Sequence, residues 1–408
     1  MALKFPIFMD SQSTTPADPR VVEAMLPYFT EKFGHPASRN HPFGWEAEAA
    51  VDRAREQLAA LIGARDPKEL VFTSGGTESI NLALKGVVEM YREKGNHIVT
   101  TVIEQRAGLD VCKRLERQGF AVSYVPVQAD GMVDVDEIRK AITDKTILIS
   151  VMFANNEVGT IQDVAAIGKL AKEKGIIFHT DATQAVGKIP VNVEAMGIDL
   201  LSCTAHLMYG PKGVGALYVR RKNPRVRIAA MIDGGGHERG MRSGTLPVPL
   251  IVGFGKAAEI ARLVMDEESA RLRALRDRLQ DKILSNLDEA FLNGHPERRL
   301  PHNLNISFAY VEGESVLMGL NKESALSSGS ACTSATLEPS YVISALGASA
   351  ELAHSSIRFS LHRFSTEEEV DYVAAKMIEV VKRLRDMSPL YELAKEGVDL
   401  KSNQWKAD

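Results

Sequence analysis

Thr73-Ser74-Gly75-Gly76-Thr77 follows a short apolar run and precedes a stretch with helical spacing. A glycine turn between strand and helix leaves backbone N–H groups at the positive end of the helix, an arrangement that holds a phosphate. The same residues also suit a tight turn ending on a threonine N-cap. Asp181 closes the most apolar strand run of the chain, ahead of Ala182-Thr183-Gln184. A carboxylate at the carboxyl end of a parallel strand faces the crevice where ligands bind. Residues 202–213 then bring the hydroxyls of Ser202 and Thr204 and the imidazole of His206 just past another strand run. Together the two further segments raise the odds of a phosphate-binding crevice over those of a simple turn.

The chain holds three cysteines, Cys112, Cys203 and Cys332, with no CxxC and no Cys/His metal spacing. They cannot form a disulfide framework and read as free thiols of a reducing compartment. Cys203 and Cys112 fall in a strand run and a helical run, where a thiol is ordinary packing. Cys332 sits between Ser328-Gly-Ser-Ala and Thr333-Ser334, a polar loop, and is the candidate reactive thiol.

The elements that must position these groups alternate. Strand runs at 69–73, 97–102, 121–125, 147–152, 176–181, 199–203 and 215–219 are separated by stretches with an apolar residue every three or four positions, such as 45–62, 79–91, 108–115 and 164–171. That alternation predicts an α/β fold around a largely parallel sheet covered on both faces. Beyond 255 a charged helical run at 257–287 leads into strands at 304–308 and 356–361 and helices at 315–320 and 366–385, a smaller α+β domain. The charge run reads as a solvated helix face. The expected division is a large domain over 18–257, a small one from 1–17 and 258–390, and a tail over 391–408.

At 408 residues, with 45% hydrophobic and 25% charged residues, the composition is that of a globular protein with material for a large core. A net charge of −4 gives no electrostatic reason to expect nucleic acid or an anionic membrane as partner. The longest apolar run, near 250–254, is far short of the roughly 18 residues that span a bilayer. With no signal-like start, a cytoplasmic location is expected.

Seven segments carry a family likeness: Phe72-Thr-Ser-Gly-Gly-Thr-Glu-Ser79, Asn155-Asn-Glu-Val-Gly159, His179-Thr-Asp-Ala-Thr-Gln184, Tyr209-Gly-Pro-Lys-Gly213, Gly234-Gly-Gly-His-Glu-Arg-Gly-Met-Arg-Ser-Gly-Thr245, Ser327-Ser-Gly-Ser-Ala-Cys-Thr-Ser334 and Ser355-Ser-Ile-Arg-Phe-Ser-Leu361. They closely resemble the cysteine desulfurases of the IscS/NifS type, and the resemblance runs from Phe5 to the C-terminus. It implies the fold-type I architecture of pyridoxal phosphate (PLP) enzymes and a homodimer with the cofactor near the subunit boundary. By that resemblance Thr77, Thr204 and His206 hold the phosphate, with Thr245 reached from the partner subunit. Asp181 pairs with the pyridine nitrogen and keeps the ring an electron sink. Asn156 and Gln184 match the residues beside the ring hydroxyl. Arg358 matches the clamp on the substrate carboxylate, and Cys332 matches the mobile thiol that carries a persulfide. The Cys332 loop and the tail would meet a sulfur acceptor or an iron–sulfur scaffold.

The departures cluster at the chemistry. The lysine that the family joins to PLP is Leu207 here, and the histidine it places over the ring is Gln105, next to Glu104. A hydrocarbon cannot form an imine or move a proton, and an amide does not titrate. The family's histidine ahead of the Asn-Asn-Glu segment falls at Phe153-Ala154, and its Asp-Tyr-x-Ala-Thr-Thr-Pro start is Asp10-Ser11-Gln12-Ser13-Thr14-Thr15-Pro16. Lys188 and Lys212 match ordinary family positions and supply no replacement amine. The expected function is therefore a desulfurase-family sulfur-trafficking protein in iron–sulfur cluster assembly or thiolation, with PLP held non-covalently and cysteine-to-persulfide chemistry impaired or absent. Two alternatives stand beside it: an enzyme of altered chemistry on unanchored PLP or pyridoxamine phosphate, and a non-catalytic dimeric regulatory paralog.

Overall fold

The computed structural model describes residues 3–328 and 339–396. Cys332 and the end of the tail, 397–408, lie outside the described residues. The strands in chain order are β1 (Ile7–Phe8), β2 (Leu70–Thr73), β3 (His97–Thr101), β4 (Ala121–Val125), β5 (Thr146–Ser150), β6 (Ile177–Asp181), β7 (Leu200–Thr204), β8 (Gly215–Val219), β9 (Ala290–Leu292), β10 (Asn303–Phe308), β11 (Ser324–Ala325), β12 (Ser327–Ser328) and β13 (Ser356–Ser360). Seven of them form one sheet in the order β2-β8-β7-β6-β5-β3-β4. All neighbours in it run parallel except that β8 is reversed against both β2 and β7. Because β8 lies reversed between them, β2 and β7 point the same way. The carboxyl ends of β2, β3, β5, β6 and β7 therefore share one edge.

Parallel strands covered on both faces read as unbroken apolar runs, and β5, β6 and β7 are buried at every residue. Helices cover both faces and are closed by local chemistry. Val164–Lys174 starts on the Asp163 side chain, which accepts from Ala166 N–H, and stops at Gly175 with φ 67°. Pro42–Ile62 starts on His41 with Pro42 in its first turn, and stops at Gly63 with φ 68°.

The charged helix is longer than its sequence signal, spanning Val248–Leu284. Its first turns absorb the apolar run at 250–254, with Ile251 and Phe254 in the core of the large sheet; farther on, Leu272, Leu275 and Leu279 enter a second core. That second core packs on the antiparallel sheet β12-β13-β10-β9. One helix thus threads both cores. It packs closely on Pro42–Ile62 at Gly255, where a Cβ would lie 2.5 Å from Ala54 Cα and 2.6 Å from Ala54 Cβ. Gly255→Ala is expected to force the helices apart and lower the unfolding free energy by about 1–3 kcal/mol, measured as a fall in urea midpoint at unchanged slope.

β1 pairs with β11, and Asp10 bridges Ser360. The amino-terminal segment is thereby laid beside β13 and carried across to the edge of the large sheet. Among the described residues no helix is long and apolar enough to cross a membrane.

Candidate cofactor and substrate site

The shared carboxyl edge collects the residues picked out by sequence. After β2, Gly75 caps the helix Gly76–Tyr91 without a side-chain hydrogen bond, so the first N–H groups of a 16-residue helix have no intrahelical partner. Thr77 is exposed in that first turn. Glycine is required at 76, because a Cβ there would lie 2.7 Å from Thr183 Cγ2, and Thr204 Cβ is 3.8 Å away. The turn from β2 thus lies against the residues that follow β6 and end β7. Glu78 would repel a phosphate here, but Arg242 pairs it through Nε at 2.8 Å and Ser74 N–H donates to it at 2.7 Å. Burial opposes its ionisation, yet these donors hold its carboxyl below the usual range.

Asp181 ends β6 with one oxygen accepting from Thr183 N–H at 3.0 Å and the other from the Gln105 side-chain amide. Burial raises its carboxyl, and those donors work against the rise. Thr204 ends β7 with its hydroxyl 3.4 Å from the Val214 carbonyl. His206 follows, its Nδ1 3.2 Å from Thr14 Oγ1. Its pKa is lowered by burial and by Lys212, so a neutral ring is favoured. The His206 carbonyl accepts from both N–H and hydroxyl of Thr15, at 3.0 and 2.7 Å, which fixes the turn that carries Leu207. Leu207 is buried, 6% exposed.

On the opposite side, Gln184 donates to the Gln12 carbonyl at 3.0 Å, and Arg358 Nη1 donates to the Asn156 carbonyl at 2.9 Å. Arg358 Nη2 also reaches Asp10 Oδ1 at 2.7 Å and Ser13 Oγ at 2.7 Å. Asn156 Oδ1, Gln12 Nε2 and Arg358 Nε are buried without partners. Buried polar atoms are rarely left so, and a ligand with its own donors and acceptors would satisfy them.

Thr245 is not brought to this cluster. It is exposed on the loop whose Arg242 pairs Glu78 and whose Glu238 pairs Arg55. Neither buried thiol has reactive character: burial pushes Cys112 and Cys203 up to about 12. Among the lysines, Lys212 Nζ is 3.5 Å from the Thr15 carbonyl. Lys188 Nζ stands 3.9 Å from the centre of the Tyr209 ring, and burial lowers it to about 7.

Sequence reading missed the buried acids behind the edge. Glu104 Oε1 accepts from Thr101 Oγ1 at 2.7 Å and Met152 N–H at 2.9 Å, and burial, with Asp181 nearby, lifts its carboxyl to about 8. Glu157 accepts from Ser340 Oγ at 2.5 Å, and burial lifts it to about 7. A neutral Glu104 in the fold and an ionised one in the unfolded chain mean that the native state holds the extra proton between about pH 4.5 and 8. Stability attributable to this group therefore falls as pH rises, by on the order of 1 kcal/mol per pH unit across that window. Glu104→Gln keeps the acceptor oxygen and is expected to flatten the decline between pH 5 and 8 in urea melts.

The donor set suits a phosphorylated pyridine: a helix terminus with threonine and histidine for the phosphate, a carboxylate for a ring N–H, and an orphaned Asn156 oxygen beside the ring's position. The side chain that follows His206 in it is the hydrocarbon of Leu207.

Comparison with known proteins defines the class. Residues 7–373 match the class-V aminotransferase family. The chain is 59% identical over 403 residues, 99% of each chain, to a protein of Anaeromyxobacter dehalogenans named cysteine desulfurase IscS. It is 56% identical over 400 residues to the cysteine desulfurase of Mus musculus, covering 98% of this chain and 86% of that one. A solved NifS-like protein superposes with a TM-score of 0.85 at 38% identity, over 93% of this chain and 100% of that chain.

These likenesses and the site define a protein of the class-V aminotransferases, whose fold is the fold-type I architecture and whose cysteine desulfurases use PLP. The chain belongs to that family, among the cysteine desulfurases of the IscS/NifS type.

Proposed function

We propose that this protein is a homodimeric, cytoplasmic sulfur-trafficking member of the family, serving iron–sulfur cluster assembly or thiolation, in which turnover of cysteine to persulfide is impaired or absent. The observation that carries the reading is the contrast within one site. The helix terminus at Gly76, Thr204, His206, Asp181 and Arg358 are assembled, while the buried side chain after His206 is the hydrocarbon of Leu207.

When bound, PLP supplies an electron sink for carbanion chemistry. The residues here would hold it: the first turn of Gly76–Tyr91, Thr204 and His206 its phosphate, Asp181 its ring nitrogen, Asn156 and Gln184 its hydroxyl side. Thr245 would approach from the partner subunit. Retention without a covalent bond is weaker, so purified protein is expected to carry PLP in less than equimolar amount.

The sulfur carrier in this reading is Cys332. Its thiolate accepts the outer sulfur of a persulfide donor, the donor's S–S bond breaks, and the donor leaves as a thiol; the loop and the tail present the new persulfide to an acceptor. Mass spectrometry after exposure to a low-molecular-weight persulfide is expected to show one added sulfur on Cys332 and none on Cys332→Ser. No adduct under any donor would reject the role. The second reading, altered chemistry on unanchored PLP or pyridoxamine phosphate, is favoured by one observation: Ser13, where the family has alanine, hydrogen-bonds Arg358 directly.

A further inference from the structure

β6 and β7 begin at the edge of the large sheet opposite the cofactor site, and β8, reversed, ends there. Two adjoining cavities open at that edge. The first, of about 700 Å³, is walled by Ile176 and Ile177 at the start of β6, by Tyr91 at the end of the helix Gly76–Tyr91, and by Pro224 and Val226 after β8. The second, of about 560 Å³, is lined by Arg65, Asp66, Glu69, Arg221, Lys222 and Arg225. Arg65 and Arg225 line both and form their common wall. Each cavity has the size of a small-molecule site.

The acids of this corner are already engaged within the fold. Glu194 pairs Arg220 through one oxygen at 3.0 Å and Arg65 through the other at 2.8 Å. Asp199 pairs Arg220 Nε at 3.1 Å and accepts from Phe178 N–H at 3.1 Å. Glu69 accepts from the backbone N–H groups of Arg221 at 2.9 Å and Asp66 at 3.3 Å. Asp66 accepts from Lys68 N–H at 2.9 Å and lies 3.7 Å from the Arg221 guanidinium.

Cations are left over. Among the described residues Lys94, Lys172, Lys222 and Arg225, which line the two cavities, have no acidic partner. Lys172 is in the last turn of Val164–Lys174 and Lys94 follows the end of Gly76–Tyr91, where the helix dipole accounts for a positive charge. Lys222 and Arg225 stand on the loop after β8 and have no such account. Exposed charge is ordinarily a solvated face. Here a chain of net charge −4 gathers unpaired cations around a concavity, and a concavity focuses their potential inward. An anion in the second cavity meets Lys222 and Arg225, with Arg65 and Arg221 beside them, and guanidinium groups suit phosphate oxygens. The first cavity adds apolar walls for a ring.

We propose that the two cavities form a binding site for a nucleoside di- or triphosphate, with the phosphates in the second and the base in the first. The site uses the edge of the sheet away from Asp181 and His206, so it stands apart from the PLP-site reading.

The test titrates ATP, adenosine and inorganic tripolyphosphate calorimetrically, without magnesium and at constant ionic strength, into the full chain supplied with PLP. ATP is expected to bind with a Kd of about 100 μM or tighter, tripolyphosphate about fivefold or more weakly, and adenosine more weakly still. Lys222→Ala combined with Arg225→Ala, both on an exposed loop, is expected to weaken ATP about 30-fold or more, the scale of two charge-assisted hydrogen bonds. PLP affinity, read by absorbance, should be the same in the double variant as in the unaltered chain. The proposal is overturned if ATP does not bind below about 1 mM, if the double variant keeps the ATP affinity, or if tripolyphosphate binds as tightly as ATP. A chain that takes ATP in this way but not PLP would reject the PLP-site reading alone.

Discussion

Leu207→Lys combined with Gln105→His is expected to raise alanine release from cysteine by about 10²-fold or more over the unaltered chain, the range of a positioned acid–base group. The turn that carries position 207 is already fixed, since the His206 carbonyl is held twice by Thr15 and Tyr209 N–H bonds Thr15 Oγ1 at 2.9 Å. A lysine at this buried position would have its amine pKa pulled down, which makes it a nucleophile near neutral pH. Gln105 already reaches Asp181, so a titratable ring on the same backbone would stand beside the cofactor's nitrogen. Leu207→Lys alone should restore covalent capture of PLP with a smaller gain in turnover. If the double variant stays inactive while binding PLP covalently, the departure at Ser13 or at Phe153 is the remaining block, and adding Ser13→Ala separates the two.

Glu238→Ala should cost about 3–5 kcal/mol of stability, the range for removing one partner of a buried ion pair. The Glu238 carboxylate accepts from Arg55 Nη2 at 2.8 Å, Arg55 Nη1 at 2.9 Å and Phe72 N–H at 2.7 Å. The two side chains are 2% and 6% exposed. Without Glu238, the Arg55 guanidinium keeps the Leu70 carbonyl, at 2.7 Å, and a long contact to the exposed Asp52 carboxylate, at 4.0 Å, and lies buried over the Phe72 ring. The same pair ties the loop bearing Arg242 and Thr245 to β2, so PLP affinity is expected to fall with stability. Chemical denaturation followed by far-ultraviolet circular dichroism measures the first, and absorbance titration the second. A loss below about 1 kcal/mol would show the pair to be worth no more than an exposed one.

The central sheet was legible because six of its seven strands are buried at every residue and read as apolar runs, and the edge strand β4 still carries one; each of the seven falls on or within a residue or two of such a run. The start of the long helix was less legible. Pro247 and Pro249 flank its first residue, and because proline is tolerated in a first turn the helix begins at Val248. In the site, Asp181, Thr204 and His206 could be placed by strand-end logic alone. The contact between Arg358 and Asp10 spans 348 residues and depends on β1 and Asp10 lying beside the small sheet, which no local pattern encodes. The Glu104 carboxyl was hidden for a related reason: nothing in the neighbouring sequence says that a glutamate after β3 turns inward to meet Met152.

The most direct test of the account is to load the purified chain with PLP, reduce it with borohydride and map the peptides by mass. The account predicts bound PLP by absorbance, a fall in it below equimolar amount on dialysis of the unreduced protein, and no pyridoxyl group on any lysine after reduction. A stoichiometric pyridoxyl adduct on Lys188, Lys212 or any other lysine would contradict it, because the chain would then hold an amine in the place that Leu207 is taken to leave without one.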